Sequence, residues 1–170
     1  LFKVSAVPFH FWAPDVYEGS PMLITALMAT LGKVASFAAF YKLFAVCFVD
    51  AGSHFKLVIA IVVALTILVG NLSAIRQDSF KRMLTFSGVT NAGFMLFAIL
   101  LPNENGGSAL FFYAVAYALS SIAAFAIAIA VSKHSGSEKF DAFKGLAHKH
   151  PFAALLLTFA MLSIAGIPPF

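Results

Sequence analysis

Long apolar runs alternate with short polar segments along almost the whole chain. A run of about twenty apolar residues is long enough to cross a membrane as a helix, at 1.5 Å per residue and ~30 Å of hydrocarbon. The pattern predicts a single all-α membrane domain over residues 1–170, with approximate helices at 1–12, 22–49, 56–75, 83–101, 108–131 and 151–170. We expect the first and last helices to be incomplete, and the sequence to be an internal part of a longer protein.

Two of the predicted helices contain breaking residues. Pro8 would interrupt the first helix, which we expect to stop at Pro14 and Asp15, and Gly166 with Pro168 would break the last. A proline inside a helix leaves a carbonyl of the preceding turn without its donor. In transporters, such broken helices at membrane depth form ion sites. The two breaks lie five segments apart and would point in opposite directions, as an inverted repeat requires.

Three lysines fall inside predicted helices. Lys33 lies eleven residues into the second helix, ~17 Å from its start and close to the middle of the membrane. A lysine there costs roughly 2.5 to 3.5 kcal/mol, so it usually faces the bundle interior or water. Lys3 lies beside the Pro8 break. If the ammonium groups of Lys3 and Lys33 lie close together, their repulsion would favour proton release from one of them. Lys42, near the end of its helix, is better explained by snorkelling to the surface.

Further polar side chains in the helices are candidates for a proton path, and they are His10, Asn91, Tyr117 and Ser120. Hydrogen bonding between helices is an equally good explanation for each of them taken singly. We therefore predict Lys3 and Lys33 as the groups that carry protons, and the four polar residues as a supporting path.

Composition and charge agree with a membrane protein. The chain is 61% hydrophobic and 11% charged, outside the range of soluble domains. Its net charge is +4, and most of its basic residues lie in loops. One set of alternate loops holds Lys56 alone, and the other set holds seven basic residues, Arg76, Lys81, Arg82, Lys133, Lys139, Lys144 and Lys149. This asymmetry places the set of seven on the cytoplasmic or organellar matrix side of a multi-pass protein. We expect a bacterial inner membrane, with an organellar inner membrane as the alternative.

Nothing in the sequence predicts a cofactor or metal site. Cys47 is the only cysteine, which excludes an intrachain disulfide and a cysteine-ligated cluster. The chain has neither a Gly-rich phosphate loop nor a dinucleotide fingerprint. Any redox or nucleotide chemistry would then belong to other chains, and nucleic acid is not an expected partner.

Several motifs resemble those of the antiporter-like membrane subunits of respiratory complex I, the NADH-quinone oxidoreductase. They run along the chain as Lys3 with Pro8-Phe9-His10-x-Trp12-x-Pro14-Asp15, Val16-Tyr17-Glu18-Gly19-x-Pro21, Gly32-Lys33, Gly70-Asn71-Leu72, Lys81-Arg82-Met83-Leu84 and Ala165-Gly166-Ile167-Pro168. The Tyr-Glu-Gly-x-Pro ending most resembles the subunit N branch of that family.

The resemblance implies an antiporter-like inverted-repeat fold and a role in proton translocation. Lys3 would match the central lysine of the family, and Lys33 the lysine that connects it to the cytoplasmic side. NADH, flavin, iron-sulfur clusters and quinone would be bound by other subunits, which would be this chain's partners. Many relatives have a histidine where this sequence has Asn91, so a histidine relay is not expected there.

Two other functions remain open at this point. A subunit of a multi-subunit cation/proton antiporter, or of a membrane-bound hydrogenase, would share the lysines and broken helices. A membrane scaffold that transports nothing would also contain the helices, but its lysines would only satisfy backbone groups.

Overall fold

The computed structural model describes residues 1–46, 53–100 and 104–167, and within these ranges the regular secondary structure is helical. The α-helices are α1 Trp12–Gly19, α2 Met22–Leu27, α3 Lys33–Val46, α4 Ser53–Ile75, α5 Phe80–Ile99, α6 Glu104–Ser135, α7 Leu146–Lys149 and α8 Pro151–Ile164. A π-helix over Met28–Gly32 joins α2 to α3, and a 3₁₀ helix covers Phe140–Phe143. The predicted all-α fold class is confirmed. Cys47, Pro168 and the predicted helix ends at 47–49, 101 and 168–170 lie outside the described residues.

Three continuous helical segments are long and apolar enough to cross a membrane, and they are Met22–Phe44, Phe55–Ile75 and Gly106–Ser135. The 20 residues of α5 would also reach ~30 Å. This helix contacts α1, α3, α4 and α6, and most of its residues are buried. Because α5 lies among other helices, it can carry buried polar groups such as Thr85, Thr90 and Asn91.

The beginning of the chain differs from the predicted helix over 1–12. Residues 2–5 and 7–11 form turns, and the first helix starts only at Trp12. Ser5 has a left-handed φ of 60°, and Val7 precedes a proline, which disfavours helical backbone. The interruption expected near Pro8 is therefore present, but it extends over the whole segment.

The expected stop at Pro14 and Asp15 is wrong, because both residues lie inside α1. Pro14 is the third residue of the helix. The N–H groups of the first turn have no partner within a helix, so a proline costs little there.

The other helices also differ from their predicted bounds. Ser79 caps α5 by accepting a hydrogen bond from the backbone N–H of Arg82, so α5 starts at Phe80 and not at residue 83. α4 begins three residues before the predicted position, at Ser53, and α6 covers Glu104–Ser135 where 108–131 was predicted. The second predicted helix contains the π-helix, which the apolar pattern does not reveal.

The last helix ends inside the predicted span. α8 stops at Ile164 after 14 residues, ~21 Å from its start. Gly166 follows with a φ of 79°, and Ile167 N–H donates back to the Leu162 carbonyl at 3.0 Å. This is the hydrogen bond of a glycine-terminated helix end, so the chain leaves the helix at Gly166, the position where the sequence predicts a break.

Candidate functional site

Lys33 occupies the centre of the described bundle. It directly follows the π-helix and is only 2% exposed. One turn before it, Ala29 belongs to an apolar cluster with Tyr17, Leu84 and Phe125; one turn after it, Phe37 belongs to a second cluster with Ala92 and Leu96. The lysine therefore lies between two apolar cores, where an ammonium group is costly to keep charged.

Gly88 and Tyr117 meet at the end of the Lys33 side chain. A Cβ atom added at Gly88 would lie 2.7 Å from Lys33 Nζ and 2.9 Å from Tyr117 Oη. Tyr117 is buried, and its hydroxyl donates to the Ala29 carbonyl in the π-helix at 3.2 Å. The absence of a side chain at Gly88 thus makes room for an ammonium and a phenol beside the backbone of α5.

Depth along the helices places this group well inside the membrane. Gly88 is eight residues after the start of α5 at Phe80, or ~12 Å along the helix axis. Lys33 is eleven residues after the start of α2 at Met22, ~17 Å by the same measure. A buried lysine and a tyrosine hydroxyl at this depth can exchange a proton without either group facing lipid.

Other predicted path residues form two separate hydrogen-bonded pairs. Tyr113 Oη donates to Asn91 Oδ1 at 2.6 Å, and the Asn91 amide donates to the Ser87 carbonyl at 2.9 Å. Ser120 Oγ bonds Ser163 Oγ at 2.7 Å, one residue before the last residue of α8. Tyr113 and Ser120 lie on the same helix as Tyr117, so α6 connects the Lys33 group to both pairs.

Lys3 and His10 have different surroundings. The Lys3 side chain is exposed, and it makes no hydrogen bond or ion pair with any described residue. His10 is buried, and its Nδ1 has no hydrogen-bond partner among the described residues. Their segment folds back on itself, since Trp12 Nε1 donates to the Phe2 carbonyl and the two rings stack. The described chain therefore surrounds Lys33 but not Lys3.

A second buried lysine was missed by sequence reasoning. Lys81 is only 3% exposed, and it lies in the first turn of α5. Its ammonium donates to the Glu18 carbonyl at 3.1 Å, the Ser20 carbonyl at 2.7 Å and Glu138 Oε1 at 3.4 Å. From the sequence alone Lys81 was only one of the basic loop residues, but its hydrogen bonds hold the end of α1 and the segment after α6 against α5. The family motif Lys81-Arg82-Met83-Leu84 was the only sequence feature that pointed to a special role for this lysine.

Further contacts join the elements at this end of the bundle. We call it the basic end and define it by Arg76, Lys81, Arg82, Lys133, Lys139, Lys144 and Lys149. Arg82 forms ion pairs with Glu18 and Asp15. Phe80 N–H donates to the Glu138 carbonyl at 3.0 Å, which brings the segment after α6 to the start of α5. Burial in the apolar cluster with Phe80 and Leu84 raises the pKa of Tyr17 to about 12, so its phenol stays neutral. The basic residues assigned to one side of the membrane thus lie on elements that meet at one end.

The described residues contain no group of three or more His, Cys, Asp or Glu side chains that could hold a metal ion. The chemistry that the buried groups around Lys33 can perform is proton binding and release.

Comparisons with known proteins agree on one family. The family model described as NADH:quinone oxidoreductase/Mrp antiporter, TM matches residues 1–170. Curated relatives include the NADH-quinone oxidoreductase subunit N of Flavobacterium psychrophilum, 48% identical over 99% of this chain, and that of Cytophaga hutchinsonii, 45% identical over the same share. In both comparisons the chain spans 37% of the relative's length. The resemblance to subunit N noted in the sequence is confirmed.

Solved structures with the same fold come from two kinds of complex. A chain of the Mrp complex from Dietzia sp. matches 99% of this chain with a TM-score of 0.89 and 29% identity, and 32% of that chain is covered. A chain of respiratory complex I from Thermus thermophilus matches 99% of this chain with a TM-score of 0.77 and 37% identity, and 36% of that chain is covered. Both are chains of multi-subunit membrane complexes.

Proposed function

The chain belongs to the membrane-subunit family shared by NADH:quinone oxidoreductases and Mrp antiporters, and we propose that it is part of a proton-translocating subunit of an NADH-quinone oxidoreductase. Because it spans about a third of its relatives' length, the activity is proposed for the full-length protein. The curated relatives named NADH-quinone oxidoreductase subunit N support this choice of complex. The family is one of integral membrane subunits, which in bacterial complex I lie in the inner membrane.

One observation carries the proposal, and it is the burial of Lys33 between two apolar cores beside Gly88 and Tyr117. An ionisable group inside the membrane is costly, so where one is present it is usually paired with another group or has a role in transport. In our proposal Lys33 takes up and releases a proton, and the hydroxyl of Tyr117 passes it along α6. Asn91 with Tyr113, and Ser120 with Ser163, extend the path in two directions from there.

Lys3 completes the proposed line of carriers. By its motif it is the central lysine of the family, and Lys33 would relay protons between it and the cytoplasmic side, which the charge asymmetry assigns to the basic end. Moving one charge against 100 mV costs about 2.3 kcal/mol. Quinone reduction elsewhere in the complex would supply this energy, and NADH, flavin, iron-sulfur clusters and quinone would be bound by partner subunits.

An antiporter subunit is the second candidate. The Mrp chain has the higher TM-score, 0.89 against 0.77, but the complex I chain has the higher identity, 37% against 29%. A shared fold supports many functions, so the sequence relationship has more weight in this choice. The identity of the neighbouring genes distinguishes the two, since a respiratory gene cluster supports the first and an antiporter operon the second.

The test is to replace Lys33 with Met in the full-length protein and to measure NADH-driven proton uptake together with quinone reduction. Met keeps the length of the side chain but cannot bind a proton. We expect the complex to assemble, and proton uptake to fall about 100-fold, the lower range for a positioned proton-transfer group. The corresponding Lys3→Met variant tests the central lysine in the same assay.

Lys42→Met is the matched control, because Lys42 lies on the same helix α3 but is exposed. It should leave both activities unchanged. If Lys33→Met assembles and pumps normally, the lysine has only a structural role, and the scaffold function gains support.

A further inference from the structure

A cavity of about 740 Å³ opens at the basic end between α6, α8 and the segment that joins them. Its apolar wall includes Ala126 and Ala130 from α6 and Phe152 from α8, and all three are exposed. Its rim carries Lys144, Lys149 and His150. The cavity therefore combines an apolar wall with a basic rim, and it is separate from the group around Lys33.

The position of the cavity relative to the membrane follows from α6. This helix is part of the span Gly106–Ser135, and Ala126 lies nine residues before its end, ~14 Å along the helix axis. The basic rim lies on the connecting segment beyond Ser135, at the end that the charge asymmetry assigns to the cytoplasmic side. An apolar wall along a membrane-spanning helix, with a basic rim at the end of that helix, is complementary to an anionic lipid.

The charges at the rim favour an anion. Lys144 Nζ lies 2.6 Å from Asp141 Oδ1. The hydrogen bond from this ammonium group holds the pKa of the Asp141 carboxyl below its usual range. The other acidic residue of the segment, Glu138, is engaged by Lys81. Lys149 has no ion pair among the described residues, so one lysine and the His150 ring remain to meet a phosphate.

We propose that this cavity binds the phosphate headgroup of an anionic glycerophospholipid, with its acyl chains against Ala126, Ala130 and Phe152. A volume within the ~300–1,000 Å³ of small-molecule sites holds a headgroup and the first part of the chains. Free phosphate would use the same rim but would gain nothing from the apolar wall. The site does not depend on the proposed proton path, and either proposal can fail without the other.

The experiment uses the full-length protein in its purified complex and two photoactivatable lipids with identical chains, a phosphatidylglycerol and a phosphatidylcholine. Labelled peptides from α6 and α8 are quantified by mass spectrometry. We expect phosphatidylglycerol to label these peptides at least about fivefold more strongly, because its net charge adds attraction to the rim. Inorganic phosphate in excess should leave this labelling in place.

Two substitutions and one control sharpen the test. The double variant K144Q/K149Q should reduce phosphatidylglycerol labelling about tenfold. The control K133Q/K139Q removes the same number of charges at nearby residues that do not line the cavity. It should keep the labelling within about twofold of wild type. Ala130→Leu should also reduce labelling, since the larger side chain occupies space along the apolar wall without changing charge.

Three outcomes would overturn the proposal. Equal labelling by both lipids would mean that the rim does not select a charged headgroup. Loss of labelling in the presence of inorganic phosphate would identify free phosphate as the ligand. No lipid label on the α6 and α8 peptides would mean that another part of the full-length protein occupies the cavity.

Discussion

Two lysines in the described part of the chain are almost fully buried, and their surroundings differ. Lys81, at the start of α5, donates to the backbone carbonyls of Glu18 and Ser20 and to the Glu138 carboxylate. Lys33, in the middle of the bundle, lies beside Gly88 and Tyr117, and no hydrogen bond to its ammonium forms within the described ranges. Burial alone therefore does not distinguish a structural lysine from a transporting one.

The partners of each ammonium group mark the difference. The three oxygen partners of Lys81 come from the end of α1 and from the segments after α1 and α6, so this lysine joins those parts of the chain to α5. Among the described residues Lys33 has no such partner, so its ammonium holds no neighbouring element in place. We therefore interpret Lys81 as a residue that holds the basic end together, and Lys33 as one that exchanges protons.

The largest expected effect comes from removing the partnered lysine. Lys81→Met leaves the carbonyls of Glu18 and Ser20 without their donor, which should cost about 3 kcal/mol of stability. We expect less assembled complex and a lower thermal midpoint, but normal proton uptake for each assembled complex. Lys139→Met, at an exposed lysine of the same end, is the control and should behave as wild type. Normal assembly of Lys81→Met would end the distinction between the two lysines.

Gly88→Ala tests the space around Lys33. The added Cβ would lie 2.7 Å from Lys33 Nζ and 2.9 Å from Tyr117 Oη, so one of these groups must move, at a cost of about 1 to 3 kcal/mol. If that cost falls on the proton-transfer step, proton uptake slows about tenfold. The control is Gly32→Ala, next to Lys33, where a Cβ would meet only the Leu27 carbonyl, at 4.0 Å. Equal rates for the two variants would argue against proton exchange at this position.

Tyr117→Phe removes a hydroxyl and leaves the ring. The lost hydrogen bond to the Ala29 carbonyl is worth about 1 kcal/mol. We expect proton uptake to fall about fivefold, with assembly close to normal, in the same vesicle assay. An unchanged rate would place the proton path elsewhere and leave Tyr117 as a packing residue between α6 and the π-helix.

The smallest effect is expected from Glu138→Gln. The carboxylate is 39% exposed, and its oxygen is 3.4 Å from Lys81 Nζ, so the ion pair should contribute less than about 1 kcal/mol. The thermal midpoint should change little, because the two carbonyl partners of Lys81 remain. A loss as large as that of Lys81→Met would show that the ion pair, and not the carbonyls, holds the lysine.

Much of the fold could be predicted from hydrophobic periodicity. The long apolar runs correspond to α4, α6 and the combined segment from α2 to α3, because length and hydropathy are properties of the sequence itself. The helix end near Gly166 could be predicted for the same reason, since glycine adopts the left-handed backbone that ends a helix. The family motifs are also short stretches of sequence that can be read without the structure, and they indicated the same family as the comparisons.

The turns of residues 2–11 were not predictable from apolar pattern, because an apolar segment can be buried either as a helix or as turns packed against other helices. The π-helix before Lys33 was missed for a related reason, since the residues of Met28–Gly32 also occur in ordinary α-helices. Both features depend on contacts with distant residues, such as the bond from Val7 N–H to Thr66 Oγ1 at 3.0 Å.

Residue type alone indicates a bundle of membrane helices with lysines in its apolar segments, because hydropathy and charge are properties of the residues. Which lysine has partners depends on the tertiary structure. Lys81 meets the carbonyls of Glu18 and Ser20 across more than sixty positions of sequence, and Lys33 meets Gly88 and Tyr117 across fifty or more. Such contacts arise when helices pack, and side-chain periodicity along one helix cannot specify them.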